Sequence, residues 1–146
     1  MTMPSSRVYL SVLLIDDSPE DQELVREAVM VQARPVQVEI VSSGQEGLAR
    51  LRARAAQAEL PDVVLLDIQM PGMNGFEVLR AIREDPALAR MPVVFLTTSG
   101  APEDRQRGLE LHMSAYLVKA MDFQGFERQV TELVQYWLDV KVRALN

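Results

Sequence analysis

Short β-branched or aliphatic runs alternate along this chain with longer stretches in which apolar positions recur every three or four residues. The runs predict strands over 8–15, 36–41, 62–66, 92–97 and 115–119. The periodic stretches predict helices over 19–33, 44–58, 75–85 and 102–112, with a last helix from about 122 onward. Numbered in chain order, these are β1 to β5 and α1 to α5. Within "PDVVLLDIQMPG", residues 61–72, an apolar run meets Asp67 directly and the chain breaks at Pro71-Gly72, as expected of a strand buried on both faces. The first helix is announced by Ser18-Pro19-Glu20-Asp21: a capping serine, proline at the first helical position, then acids facing the helix dipole. Leu24, Val25, Ala28 and Val29 share one face of that helix, Leu48, Leu51 and Ala55 one face of the second, and Phe76, Leu79 and Ile82 one face of the third. All eight prolines fall outside the predicted element interiors.

Strict alternation of strand and helix predicts a parallel sheet with helices on both faces, because parallel strands need crossover connections. No internal repeat, low-complexity segment or linker interrupts it. Residues 1–6 read as a flexible end and 7–146 as a single domain. The 146 residues suffice to bury about two thirds of the chain surface.

Composition narrows the function. There is no cysteine, which excludes disulfides and thiolate metal sites and points to an intracellular, cytoplasmic protein. No apolar stretch approaches the roughly 20 residues of a membrane span. A net charge of −6 argues against binding along nucleic-acid phosphates. The cluster Arg50, Arg52 and Arg54 reads as a solvated helix face, with Glu46 and Arg50 at the favourable i,i+4 spacing.

The polar residues collect at one place. Strand one ends in Asp16-Asp17, strand three in Asp67, strand four in Thr97 and strand five in Lys119. Open α/β sheets bind ligands at that edge, where strand order reverses; for the order 2-1-3-4-5 the reversal lies between strands one and three. The three aspartates are therefore expected to meet. Each residue alone has a duller explanation as a turn, cap or surface residue; together they share one sheet edge. Two carboxylates about 4 Å apart repel by roughly 4 kcal/mol at an effective dielectric near 20. Three survive together when protonated or when a cation sits among them. An all-oxygen set of carboxylates suits Mg²⁺ beside a phosphoryl group, with Lys119 as a second positive charge and Thr97 as a hydroxyl donor.

The motifs "LLIDD", "LLDIQMPGMNG", "PVVFLTTS" and "YLVK" resemble, in order, those of the receiver domain of two-component response regulators. The resemblance runs from about Val8 to Val140. It implies a flavodoxin-like doubly wound five-stranded sheet, and a switch that is not an enzyme but accepts a phosphoryl group on Asp67 from a sensor histidine kinase. By the same resemblance Asp17, Asp67 and the backbone carbonyl of Gln69 would ligate Mg²⁺, with Asp16 acting mostly through water. Thr97 and Lys119 would contact the phosphoryl oxygens, Tyr116 would turn inward on activation, and Pro71 and Gly75 would shape the chain beyond the acceptor. "PVVFLTTS", "ELHMSAYLVK" and "YWLDVKVR" further resemble single-domain regulators paired with bacterial phytochromes. This implies a stand-alone regulator in light signalling with a bacteriophytochrome kinase as partner.

The family usually has proline after the lysine, in a cis peptide; here Ala120 follows Lys119. A non-proline cis bond costs about 2.5–4 kcal/mol, so either the loop is strained or Lys119 is placed differently. The single histidine, His112, reads as a packing or backbone residue. Three rival readings meet the same residues. An aspartate-nucleophile phosphatase needs a second acid where Gln69 stands. A flavodoxin-like cofactor binder needs a phosphate loop where "DDSPED" carries four acids. A degenerate receiver acting as a phosphorylation-independent scaffold is the remaining alternative. Finally, Phe126, Val130, Leu133, Val134, Trp137 and Leu138 form an apolar stripe in the last helix. From Asp122 to Asn146 there are 25 residues, roughly 37 Å if helical, against about 17 Å for a five-residue strand. Val140, Val142 and Leu145 are thus expected to overhang the sheet, and the resemblance to the phytochrome-associated regulators implies a homodimer paired through them and the α4-β5-α5 face.

Overall fold

The computed structural model describes residues 8–145; the expected flexible segment 1–6 lies outside the described residues. Five strands, β1 (Leu10–Ile15), β2 (Val36–Val41), β3 (Val63–Leu66), β4 (Val93–Thr97) and β5 (Ala115–Val118), form one parallel sheet in the order β2-β1-β3-β4-β5. Between them run α1 (Pro19–Met30), α2 (Gly44–Ala56), α3 (Gly75–Glu84) and α4 (Pro102–Glu110), and α5 (Phe123–Ala144) closes the fold. This is the expected doubly wound architecture with its long last helix. The register sets Ile15 beside both Val41 and Leu66, so the chain leaves β1 and β3 side by side at the reversal of strand order.

Two apolar layers sandwich the sheet. Leu13, Ile15, Leu66 and Phe95 pack with Leu51 of α2 and Phe76, Leu79 and Ile82 of α3. Leu10, Leu14, Val63 and Leu65 pack on the other side with Val25 of α1 and Phe126, Val130, Leu133 and Leu138 of α5. Every residue of β3 is buried, as its unbroken run predicts. Each fully buried Leu, Ile or Phe contributes about 1.5–3 kcal/mol relative to exposure, so the central strands form a rigid platform for the residues at their ends.

Helix starts follow the predicted chemistry. The Ser18 side chain accepts from the Asp21 amide with Pro19 at the first turn, and Asp122 caps α5 through the Gly125 amide. Helix ends fall short of the periodic pattern. In α2 the chain leaves the helix through Ala58, whose φ is 57°, and after α4 it leaves through His112, whose φ is 63°. His112 is exposed, and its role is in the backbone: its carbonyl accepts two hydrogen bonds from the Arg83 guanidinium, at 3.0 and 2.8 Å.

Two side-chain expectations are revised. Leu24 shares the apolar spacing of α1 but is 38% exposed, lining the cavity beside Lys119. The arginines of α2 are not a free solvated face: Arg50 and Arg54 both pair with Glu39 of β2, while the Glu46 carboxylate accepts from Ser43 Oγ. The overhang of α5 is as expected, with Val140, Val142 and Leu145 at 38%, 38% and 64% exposure. Its last turns are tied back through Lys141, which donates to the Tyr9 carbonyl (2.8 Å) and to Asp62 (3.0 Å).

Candidate functional site

The site is built where β1 and β3 end. Asp16 follows β1 and its amide continues the ladder to the Val41 carbonyl; Asp67 follows β3 and its amide donates to the Ile15 carbonyl, 3.1 Å away. Asp16 is buried, at 1% exposure, and its carboxylate accepts from the Ser18 amide (3.0 Å). The buried Gln22 side chain donates to the Asp16 carbonyl (2.7 Å) and to Ser42 Oγ (3.0 Å), pinning the turn to the body of the domain. Asp67 is half-buried, and its Oδ1 accepts from the Ile68 amide at 2.9 Å.

Beyond the acceptor strand the chain must turn tightly. Gly72 has φ 75°, a conformation that favours glycine. Gly75 donates its amide to the Ile68 carbonyl at 2.8 Å, and any Cβ there would collide with the Asp67 carbonyl oxygen. Asn74 and Glu77 form a capping box, each side chain bonding the other's backbone amide. The start of α3 is thereby locked against Asp67.

Carboxylate oxygens of Asp16, Asp21 and Asp67 lie within 4.8 Å of one another. This corrects the sequence expectation in one member. Asp16 and Asp67 meet as predicted, but the third acid of the group is Asp21, not Asp17. Asp21 is the third residue of α1, and the capped first turn folds it back over the sheet edge; Asp17 is half-buried beside the cluster. Gln69 is exposed, two residues past the acceptor.

Lys119 supplies the positive charge. Its Nζ is 2.7 Å from Asp21 Oδ2 and 3.4 Å from Asp16 Oδ2, and its side chain is only 9% exposed. Burial opposes its ammonium, but the Asp21 hydrogen bond and the charges of Asp16, Asp21 and Asp67 outweigh that and hold its pKa above the ordinary lysine value. Burial raises the pKa of Asp67 to about 6, helped by the charge of Asp16 and opposed by Lys119 and the Ile68 amide. Asp16 is also shifted upward, by burial first, against the Ser18 amide and Lys119. One lysine does not neutralise three acids. The donor set is all oxygen and carries surplus negative charge, which fits a hard divalent cation.

Lys119 is held without a cis bond; no peptide among the described residues is cis. Its amide donates to the Thr97 carbonyl (2.8 Å). The following Ala120 amide donates to Gln129 Oε1 (2.9 Å), while Gln129 Nε2 donates to the Val118 carbonyl (2.7 Å). Beside Lys119 a cavity of about 400 Å³ opens, lined by Asp21, Leu24, Met121, Phe123 and Phe126 among others.

Thr97 is buried at the end of β4, and its hydroxyl accepts from the Ser99 amide at 3.2 Å. Tyr116 is turned inward, at 7% exposure. Its hydroxyl donates to the Ser99 carbonyl (2.7 Å), and Ser99 Oγ bonds Asp104 of α4 (2.6 Å). The Arg105 guanidinium lies over the Tyr116 ring, 4.7 Å from its centroid. Thr97 and Tyr116 are thus joined through one short loop. Arg105 and Ser99 are members of that unit which sequence spacing alone does not reveal.

Comparison with known proteins agrees with this geometry. The profile of the response regulator receiver domain matches residues 12–131. The gliding motility regulatory protein of Myxococcus xanthus is 39% identical over 119 residues, 82% of this chain but only 14% of that protein. Response regulator Rcp1 of Synechocystis sp. is 32% identical over 130 residues, 88% of each chain. Its Mn²⁺-bound crystal structure matches with a TM-score of 0.78, covering 88% of this chain and 94% of that one. The crystal structure of the phosphorylated cyanobacterial phytochrome response regulator RcpA matches with a TM-score of 0.82 at 34% identity, covering 90% of this chain and 96% of that one. Regulators such as Rcp1 and RcpA are signalling proteins rather than catalysts, and by profile, relatives and fold alike the chain belongs to the response regulator receiver domain family.

Proposed function

We propose that this receiver is a Mg²⁺-dependent phosphorylation switch, with Asp67 as the phosphoacceptor and a sensor histidine kinase as donor. The observation that carries the reading is the convergence of acids and one lysine at the switch point of the sheet, next to a carboxylate open enough to react. An Asp67 carboxylate oxygen attacks phosphorus; its O–P bond forms as the N–P bond of the kinase phosphohistidine breaks. The imidazole leaves with the bonding pair and takes up a proton. Asp17, Asp67 and the Gln69 carbonyl would hold the cation, with Asp16 acting through water, and the cation would neutralise charge on the transferring group. Lys119 and Thr97 receive the phosphoryl oxygens. Tyr116, held inward through Ser99, passes the change to α4, β5 and α5.

The likeness to RcpA and Rcp1 supports a place in phytochrome signalling, with a bacteriophytochrome as the kinase. A phosphohistidine made from ATP supports a cytoplasmic setting, and the net charge of −6 argues against nucleic acid as a partner. The exposed Tyr136, Val140, Val142 and Leu145 support a homodimer through the α4-β5-α5 face and the end of α5. No observation favours the scaffold alternative.

With Mg²⁺ and a small phosphodonor, mass spectrometry is expected to find one hydroxylamine-sensitive phosphate on Asp67 and none on the Asp67→Asn protein. Modification that persists in the variant overturns the assignment. Light scattering on the same samples, with and without the residues after Asp139, tests the pairing: a full-length monomer at tens of micromolar removes it.

A further inference from the structure

The acid that holds Lys119 is one the switch chemistry does not require. Lys119 Nζ is 2.7 Å from Asp21 Oδ2 but 3.4 Å from Asp16 Oδ2, and the contact joins residues 98 positions apart. The backbone of Asp21 is fixed independently of the lysine, because its amide donates to the Ser18 cap at 3.2 Å. Its carboxylate belongs to the same 4.8 Å group as Asp16 and Asp67. An ammonium has three donors and one charge. Whatever it gives Asp21 is withheld from a new anion on Asp67.

We infer that Asp21 is a positioning residue that holds Lys119 away from the phosphoryl position, so that occupation of Asp67 must draw the lysine off the first turn of α1. The inference rests on the reading of Asp67 as phosphoacceptor and adds a competitor to it. Two consequences follow from the geometry. The resting protein keeps its lysine ordered in a buried site without placing it on Asp67, which leaves the acceptor oxygen free to attack. The filled site then loses the tie between β5 and α1, so occupancy is felt at the start of α1 as well as at α4.

The test measures beryllofluoride binding at saturating Mg²⁺ by calorimetry, since that anion stands for the phosphoryl group on an aspartate. Asp21→Asn keeps the shape and the helix start and removes the charge. Its half-saturating beryllofluoride concentration is expected to fall about five-fold, the scale of a partly exposed ion pair. Glu20→Gln, which removes a neighbouring exposed acid, is expected to leave the value unchanged. In a Lys119→Gln background the Asp21→Asn effect is expected to vanish, because the cycle isolates the pair. An Asp21→Asn value equal to or above wild type overturns the inference. So does an equal gain in Glu20→Gln, or a gain that survives without Lys119; either traces the effect to the general field. Wild-type protein that fails to bind beryllofluoride overturns the phosphoacceptor reading instead.

Discussion

Helices α3 and α4 both follow strands that end in a site residue, yet they are held in opposite ways. Gly75, Phe76, Val78, Leu79 and Ile82 of α3 are buried, and a capping box closes its start. In α4 only Gly108 is buried and no side chain caps the first turn. What holds α4 is peripheral and polar: Arg105 over Tyr116, Arg107 over Phe76 at 4.6 Å, and Asp104 on Ser99. Segments with few buried apolar contacts open first. The difference teaches that this fold fixes the proposed phosphoacceptor and leaves loose the helix proposed to report its occupancy.

The largest test of that contrast exchanges glycines. Gly75→Ala drives a Cβ into the Asp67 carbonyl, backbone that cannot yield. A cost of about 2–3 kcal/mol is expected, or roughly 6–9 °C in melting temperature, with loss of Asp67 phosphorylation. Gly108→Ala meets the Sδ of Met113, a flexible side chain, while gaining about 1 kcal/mol of helix propensity. Stability near wild type is expected, with slower hydrogen exchange across α4. Equal damage from both variants breaks the contrast.

An intermediate effect comes from charge. The mount holds Asp67 at a pKa of about 6, above its ordinary 3.8. The folded protein therefore binds this proton more tightly than the unfolded chain does. Asp67's contribution is most favourable below about pH 4 and is lost as pH rises to about 6. Without divalent cation, urea denaturation is expected to show a penalty of at most about 3 kcal/mol across that window, less for solvent screening of a half-buried group. Asp67→Asn removes it. Identical pH profiles for wild type and variant show that the site stores no charge strain.

The smallest effect adds what α4 lacks. Ala101→Ser places a capping hydroxyl before α4, and a gain of about 0.5–1 kcal/mol is expected. Asn74→Ala removes one from α3, with a loss of about 1 kcal/mol. Hydrogen exchange checks the location: the serine variant protects α4, and its response to beryllofluoride shrinks. A response of undiminished size separates the motion of α4 from its stability.

Most of the architecture was legible because it rests on local rules. Ser18-Pro19 starts α1, short aliphatic runs form β1, β3 and β4, and Asp16, Asp67, Thr97 and Lys119 stand at strand ends. What stayed hidden is tertiary. Asp21 is fully accounted for as an acid in a first helical turn, so nothing in the chain announces its contact with Lys119. Leu24 fits the apolar spacing of α1, and periodicity does not tell that it lines an open cavity. Gly75 was legible as a loop former, but its closeness to the Asp67 carbonyl depends on how α3 seats. Arg83 reads as one more helix arginine. Its guanidinium also donates to the Ala89 and Met91 carbonyls, tying two loops that the sequence keeps apart.

The Ala120 amide has a consequence for protein engineering. Sequence averaging over the family would write proline at this position, and consensus replacement is a common route to stability. Here the replaced group is a working donor: the N–H that bonds Gln129 Oε1 at 2.9 Å is the atom a proline lacks. Gln129 would keep its bond to Val118 and lose its partner on the other side of Lys119. A consensus design of this chain should therefore treat positions 120 and 129 as one unit, changed together or left alone, because the family average describes a loop held by a ring and this loop is held by a side chain from the seventh residue of α5.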